Sequence, residues 1–194
     1  MAQEWRTVLT EAHARLRDVV ANVPADGWDR PTPCEQWTVA QVVQHASGDQ
    51  VAYAAALGAG PWPTEDPFAP SGTIAGDPRS LVQESTARVA AAYAAVADDA
   101  PEVDVPLPGG PYPAWLAAGA AALDAAVHAW DIAVATGQPA PLTEAQSAAL
   151  LEVAQRLVEP LRGFAYADAK DSSAEDDATG RLLAYLGRDP HWTV

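Results

Sequence analysis

With a single cysteine, Cys34, the chain cannot form an internal disulfide, and nothing points to an oxidising compartment. Lysine is almost missing: Lys170 stands alone among 11 Lys and Arg, against 26 Asp and Glu, for a formal charge of −15. Such a chain repels phosphate backbones and anionic lipid, so nucleic acid is excluded as a partner held by general electrostatics. The start, Met1-Ala2-Gln3-Glu4-Trp5-Arg6, lacks the basic and then apolar pattern of a signal peptide. The longest apolar run, from about Trp115 to Ala135, is interrupted by Asp124, His128 and Asp131, which a membrane span rarely tolerates. A cytoplasmic protein without membrane association is the expectation. Strand formers in alternation are scarce as well, and the chain has only two phenylalanines.

What is abundant is alanine, the best helix former, within an apolar fraction of 49%. The pattern predicts an all-α fold. Trp5, Val8, Leu9, Ala12, Leu16, Val19, Val20 and Val23 recur at helical spacing, and Pro24 ends that first helix. A connector carrying Trp28 and Trp37 follows, too rich in tryptophan to be a mere spacer. Thr38 and Gln41 form a capping box for helix two, which runs to Leu57 before Gly58. A long loop from Gly60 to Gly76 precedes helix three, where Asp77 is the N-cap and Pro78 the first helical residue. A second loop, about Ala100 to Pro113, leads into helix four, which ends near Gly137. Thr143 and Gln146 suggest a further capping box, with helix five running towards Leu161 and disturbed by Pro160. A solvated loop around Asp171 to Asp177 and a short helix around Arg181 to Leu186 close the chain. The expected layout is a four-helix bundle over 1–137, with a C-terminal helical extension over 138–194 packed on it in the same structural domain.

Helix four carries the chemistry. At about 100° per residue, Asp124, His128 and Asp131 share an arc of roughly 60° on a helix otherwise built from Ala and apolar residues. Burying two carboxylates and an imidazole without compensation costs several kcal/mol each. Either hydrogen bonds from neighbouring helices or a metal ion must compensate them. Asp124 and His128, four residues apart, offer two converging ligands. His45, in the middle of an apolar helix two, could face them across the core as a third. Two His and one carboxylate leave coordination positions open, as in a catalytic zinc site, and the set also suits iron, nickel or manganese.

Three segments extend this reading. Thr32-Pro33-Cys34-Glu35-Gln36-Trp37-Thr38-Val39 followed by His45, Val127-His128-Ala129-Trp130-Asp131-Ile132-Ala133-Val134-Ala135-Thr136-Gly137, and the ending Arg181 to Trp192 together resemble the DinB-like superfamily. More narrowly, they resemble its actinobacterial branch, which includes mycothiol-dependent maleylpyruvate isomerase and its N-terminal domain. The resemblance implies a DinB-like four-helix bundle with one metal, often zinc, held at His45, Asp124 and His128, activating the thiol of a cofactor such as mycothiol. The sequence departs from the family pattern at Asp124, where Glu or His is usual. Asp is one methylene shorter than Glu, so direct ligation, ligation through water and loss of ligation all stay open.

The resulting expectation is a metal-dependent enzyme acting on a small electrophilic substrate by isomerisation, thiol addition or epoxide opening. A metal-dependent hydrolase or lyase without a thiol, and a non-catalytic small-molecule-binding bundle, are the alternatives. Asp131 is expected to hold a ligating His ring in place, or to tie helix four to the connector. Cys34 is expected to be buried and inert, and His13 and His191 to be surface or terminal residues. Asp49 is expected to be solvated, though placed to line a pocket. Trp62 and Phe68 are expected to pack, with a lid over an apolar substrate as the functional option. Glu175-Asp176-Asp177 reads as a solvated acidic patch. A small molecule is the expected partner, with the chain a monomer or homodimer.

Overall fold

Every strong helix signal in the sequence has a counterpart in the computed structural model, which describes residues 2–34, 36–173 and 176–193. Glu35 of the connector and Glu175 of the acidic patch lie outside the described residues. The helices are α1 (Ala2–Ala21), α2 (Val39–Ala56), α3 (Pro78–Ala94), α4 (Ala114–Ala135), α5 (Glu144–Leu157) and α6 (Ala178–Tyr185). The fold is all-α, as expected from composition and periodicity. Among the described residues, no helix is long and apolar enough to cross a membrane.

Within the bundle, α1 packs on α3 and α4, and α2 packs on the same two helices, so α1 and α2 occupy opposite corners. α4 additionally carries α5, which in turn carries α6. α4 is therefore covered on nearly all sides. Its only partly exposed residues are Trp115, Asp124 and Val134. Small side chains make this enclosure possible. A Cβ at Gly119 would lie 2.6 Å from Val153 Cγ2, so α5 can approach α4 only over a glycine.

The caps follow the sequence with one difference. Thr38 and Gln41 make the reciprocal capping box of α2, and Asp77 caps α3 with Pro78 in its first turn. At α5, Thr143 accepts the Gln146 N–H, but the Gln146 side chain accepts from Arg15 Nε instead of returning to the cap. The cap is half a box because α1 competes for the glutamine. α5 stops at Leu157 and a 3₁₀ turn over Glu159–Leu161 follows, consistent with Pro160 lacking a backbone N–H. Asp177 proves to be the N-cap of α6 rather than a free loop residue. The second loop holds a small antiparallel ribbon, β1 (Glu102–Val103) with β2 (Tyr112–Pro113), too short to show as a periodic signal.

Candidate metal centre

The connector before α2 is stitched to the helix start: Thr32 and Trp37 pair through their backbone, and Ala40 N–H donates to Trp28 O. This fixes Trp37 against the imidazole of His45, with ring centroids 4.6 Å apart. The long loop before α3 closes over the same helix face. Gln41 Nε2 donates to Pro70 O, Gly72 N–H donates to Gln44 Oε1, and Pro67 lies against Gly48. That loop carries the Pro67 carbonyl to 2.8 Å from His45 Nδ1. A carbonyl can only accept, so the Nδ1 proton belongs there and Nε2 is the nitrogen turned to the core.

α4 supplies the facing half. His128 Nδ1 lies 2.9 Å from Asp131 Oδ2, so its Nε2 is likewise turned inward. Both Nε2 atoms lie 3.4 Å from the same oxygen, Asp124 Oδ1. The other oxygen of Asp124 accepts from Gln50 Nε2 at 3.0 Å. Gln50 cannot turn over, because its Oε1 is held by His13 Nε2 at 2.9 Å and its amide also donates to Ala121 O. Asp131 is fully buried and accepts from Arg188 Nη2 and Nε as well as from His128.

The electrostatics favour positive charge between the rings. Burial works to lower the pKa of His45, but Asp124, Asp49 and the Pro67 carbonyl outweigh it and carry it up to about 9. Burial works to raise Asp124, yet His45, His128 and Gln50 hold it below the usual carboxylate range. Asp131 is held low in the same way, against its burial, by Arg188 and His128. Asp49, by contrast, is pushed up to about 7 by burial and by the charge of Asp124. For His13, burial dominates and the pKa falls to about 4.

A divalent ion is a second way to supply that positive charge, and the donor set can be tested against one. His45, Asp124 and His128 offer ligand atoms within 4.8 Å of one another. A tetrahedron with bonds of about 2.0–2.1 Å has edges of about 3.3–3.4 Å, which the two 3.4 Å separations match. Both rings present Nε2 with Nδ1 tied to an oxygen, the arrangement that orients histidine ligands. The residues therefore fit an ion. Cys34, His128 and Asp131 form a second group within the same distance. That group is less suited, because both Asp131 oxygens are already committed to Arg188 and His128.

Beside these residues lies a cavity of about 440 Å³, lined by His45, Asp124 and His128 together with Cys34, Trp37 and Asp49. Cys34, expected to be buried because no basic residue neighbours it in sequence, is only half-buried and stands at the cavity wall. Asp49 likewise faces the cavity, 3.7 Å from His45 Nε2. Phe68 lines the cavity, whereas Trp62 is outside it and exposed. His191 is at the surface, but His13 is buried, because Gln50 gives its ring a partner inside the bundle.

The model of the mycothiol maleylpyruvate isomerase N-terminal domain matches residues 9–133. The chain belongs to this family. It is 34% identical over 186 residues to two Mycobacterium tuberculosis proteins, "Uncharacterized protein MT0763" of strain CDC 1551 / Oshkosh and "Uncharacterized protein Rv0738" of strain ATCC 25618 / H37Rv. Each alignment covers 91% of this chain and 96% of the relative. Two crystal structures of the mycothiol-dependent maleylpyruvate isomerase share the fold, one of them of a histidine-to-alanine mutant. The TM-scores are 0.59 for the mutant and 0.58 for the other, at 19% and 20% identity, over 80% of this chain and 67% of theirs.

Within the mycothiol maleylpyruvate isomerase N-terminal domain family segment lie His45, Asp124, His128 and Asp131, all of them singled out in the sequence. Gln50 and Arg188 were not. Gln50 sits one turn past Ala46 on an apolar stretch, where a neutral amide gives no charge signal. Arg188 follows α6, 57 residues from Asp131, beyond the family segment. The unpaired charge of Asp131 on a buried helix was the one hint that a distant cation had to exist.

Proposed function

We propose that the chain is an enzyme of the mycothiol-dependent class that holds one divalent ion, zinc first, on His45, Asp124 and His128. Nickel, iron or manganese would suit the same donors. The observation that carries this reading is the convergence of two imidazole Nε2 atoms on one carboxylate oxygen beside a cavity. When bound, such an ion acts as a Lewis acid that lowers the pKa of a thiol or of water and so makes it nucleophilic at neutral pH. The chain's own residues do the rest. Pro67 O and Asp131 hold the two rings by Nδ1, and Gln50, itself held by His13, turns Asp124 so that Oδ1 faces them. Arg188 fixes Asp131 from behind. Trp37 and Phe68 shield His45 from bulk water, with Phe68 edge-on at 5.7 Å.

A thiol held in this cavity would attack a small electrophile by addition to an activated alkene, by reversible addition that isomerises it, or by opening an epoxide. The name of the structurally similar isomerase supports the thiol and isomerase part of this reading. On the same footing, residues 1–137 and 138–194 are read as one structural domain, supported by the Gly119–Val153 contact and the Asp131–Arg188 pair. A cytoplasmic setting goes with it. The test follows conversion of substrate to product, by chromatography, for a panel of activated alkenes and epoxides given to zinc-loaded protein with and without mycothiol. Turnover above the uncatalysed rate, lost in His45→Ala, is the expected result. Equal turnover without mycothiol would replace this reading with a metal-dependent hydrolase or lyase.

A further inference from the structure

One face of α2 carries His45, Asp49 and Tyr53 at successive turns, and all three line the cavity. Tyr53 is only 3% exposed, yet among the described residues its hydroxyl has no hydrogen-bond partner. Tyr93 also keeps an unpaired hydroxyl, but that one is sealed in the core, away from the cavity. A second phenol comes from the segment between α5 and α6. Tyr166 lines the same cavity, and its hydroxyl is likewise without a hydrogen bond among the described residues. Its backbone is fixed: Tyr166 N–H donates to Leu161 O and Gly163 N–H donates to Tyr166 O, in a turn where Gly163 has a φ of 77°. The two phenols lie near each other and near Asp49 and Asp124, whose charges reach both. A phenylalanine would fill either place, so the packing does not explain why these hydroxyls are there and left unpaired.

We propose that Tyr53 and Tyr166 are catalytic hydrogen-bond donors to the substrate oxygen on which negative charge develops. The inference deepens the proposed function and rests on it for the reaction. In the reversible addition, the thiolate sulfur bonds to the β-carbon of an alkene conjugated to a carbonyl. The π pair moves towards the carbonyl, whose oxygen becomes that of an enolate. The two O–H groups strengthen their hydrogen bonds to it and keep their protons. After rotation about the former double bond the enolate collapses, the C–S bond breaks and the thiolate leaves. The proton that the thiol gave up to solvent is the only one moved. Burial, and after it Asp49, holds the Tyr53 phenol well above the ordinary tyrosine range, and burial with Asp124 does the same for Tyr166. Both groups therefore keep a proton to donate at neutral pH, whereas an ionised Asp49 or Asp124 beside them can only accept. Tyr166 lies beyond residues 9–133, so the C-terminal extension completes this part of the site.

The probe is 3-methyl-2-cyclohexenone, an enone whose β-methyl group slows thiol addition, and the protein is the whole chain, metal-free and zinc-loaded. In the metal-free protein, where only the chain's own groups can polarise the carbonyl, its infrared band should shift to lower frequency on binding. Tyr53→Phe and Tyr166→Phe should each reduce the shift. The double variant should abolish it and bind the probe about tenfold more weakly. Urea midpoints should not fall in any of the three, since no hydrogen bond within the fold is lost. With zinc, mycothiol and an enone substrate, Tyr53→Phe should lower kcat about 100-fold while KM and metal content stay close to the parent's. A parent that does not shift the carbonyl band, a double variant that shifts it as much as the parent, or full kcat in Tyr53→Phe would overturn the proposal. If the zinc-loaded parent turns over no substrate, the enzymatic reading fails by itself, while the metal-free comparison still decides whether the two phenols hold a substrate oxygen.

Discussion

Replacing Asp131 by Leu separates what this carboxylate does for folding from what it does for the two imidazoles. Asp131 is fully buried and accepts three hydrogen bonds, two from Arg188 and one from His128. Leu has nearly the same shape and none of the acceptors. Removing one partner of a buried ion pair costs about 3–5 kcal/mol; Arg188 lines the cavity and can reach water, so the lower end applies. The orphaned His128 N–H adds about 1–3 kcal/mol. The double variant Asp131→Leu/Arg188→Met removes the stranded charge and should recover about 3 kcal/mol of that loss. Neither variant leaves anything to hold the His128 ring, so metal affinity should fall about 10- to 100-fold in both. Urea unfolding of the metal-free proteins gives the stabilities, and competition against a chromophoric chelator gives the affinities. A double variant no more stable than the single one would refute the charge argument. Unchanged metal affinity in both would refute the role of Asp131 behind His128.

Three further outcomes follow from other parts of the structure. Gly119→Ala gains about 1 kcal/mol of helix propensity but drives a methyl to 2.6 Å from Val153 Cγ2, an overpacking that costs about 1–3 kcal/mol. The net loss should lower Tm by a few degrees and be relieved by Val153→Ala; an unchanged Tm would mean that α5 yields freely. His13, with its pKa lowered from 6.5 to about 4, is neutral in both states above pH 6.5. As pH falls from 6.5 towards 4 the unfolded chain takes up the proton first, so stability drops by about 3 kcal/mol through that window. His13→Gln should lose that part of the decline in urea midpoints between pH 7 and 4.5; an identical decline would show that the ring titrates freely. Gln50→Leu should weaken metal binding without unfolding the bundle, since Asp124 then loses the donor that turns Oδ1 to the histidines; chelator competition would expose the error if affinity stayed the same.

The helices were legible because their signals are local: the periodicity of α1, the Thr38–Gln41 box, the Asp77-Pro78 start and the glycines that end α2 and α4. The half-cap at Thr143 was not, because Gln146 is claimed by Arg15 from another helix. The meeting of His45, Asp124 and His128 was legible for a different reason. Charged residues on an alanine-rich helix had to find partners inside the bundle, and the helical arc limited which ones could share a face. What the sequence hid were the groups that answer them from far away. Gln50, His13 and Arg188 act through hydrogen bonds between elements far apart in the chain, and only the packing of α1, α2 and the C-terminal segment against α4 brings them together. Cys34 and Asp49 were misread for the same reason: a neighbouring cavity is a property of several loops and helices at once.

If His45, Asp124 and His128 hold one divalent ion, elemental analysis of the purified protein will find it. Protein purified without chelators, alongside His128→Ala prepared identically, should carry close to one equivalent of metal per chain in the parent and none in the variant. A parent free of metal that also refuses added zinc, or a variant that keeps a full equivalent, would contradict the claim.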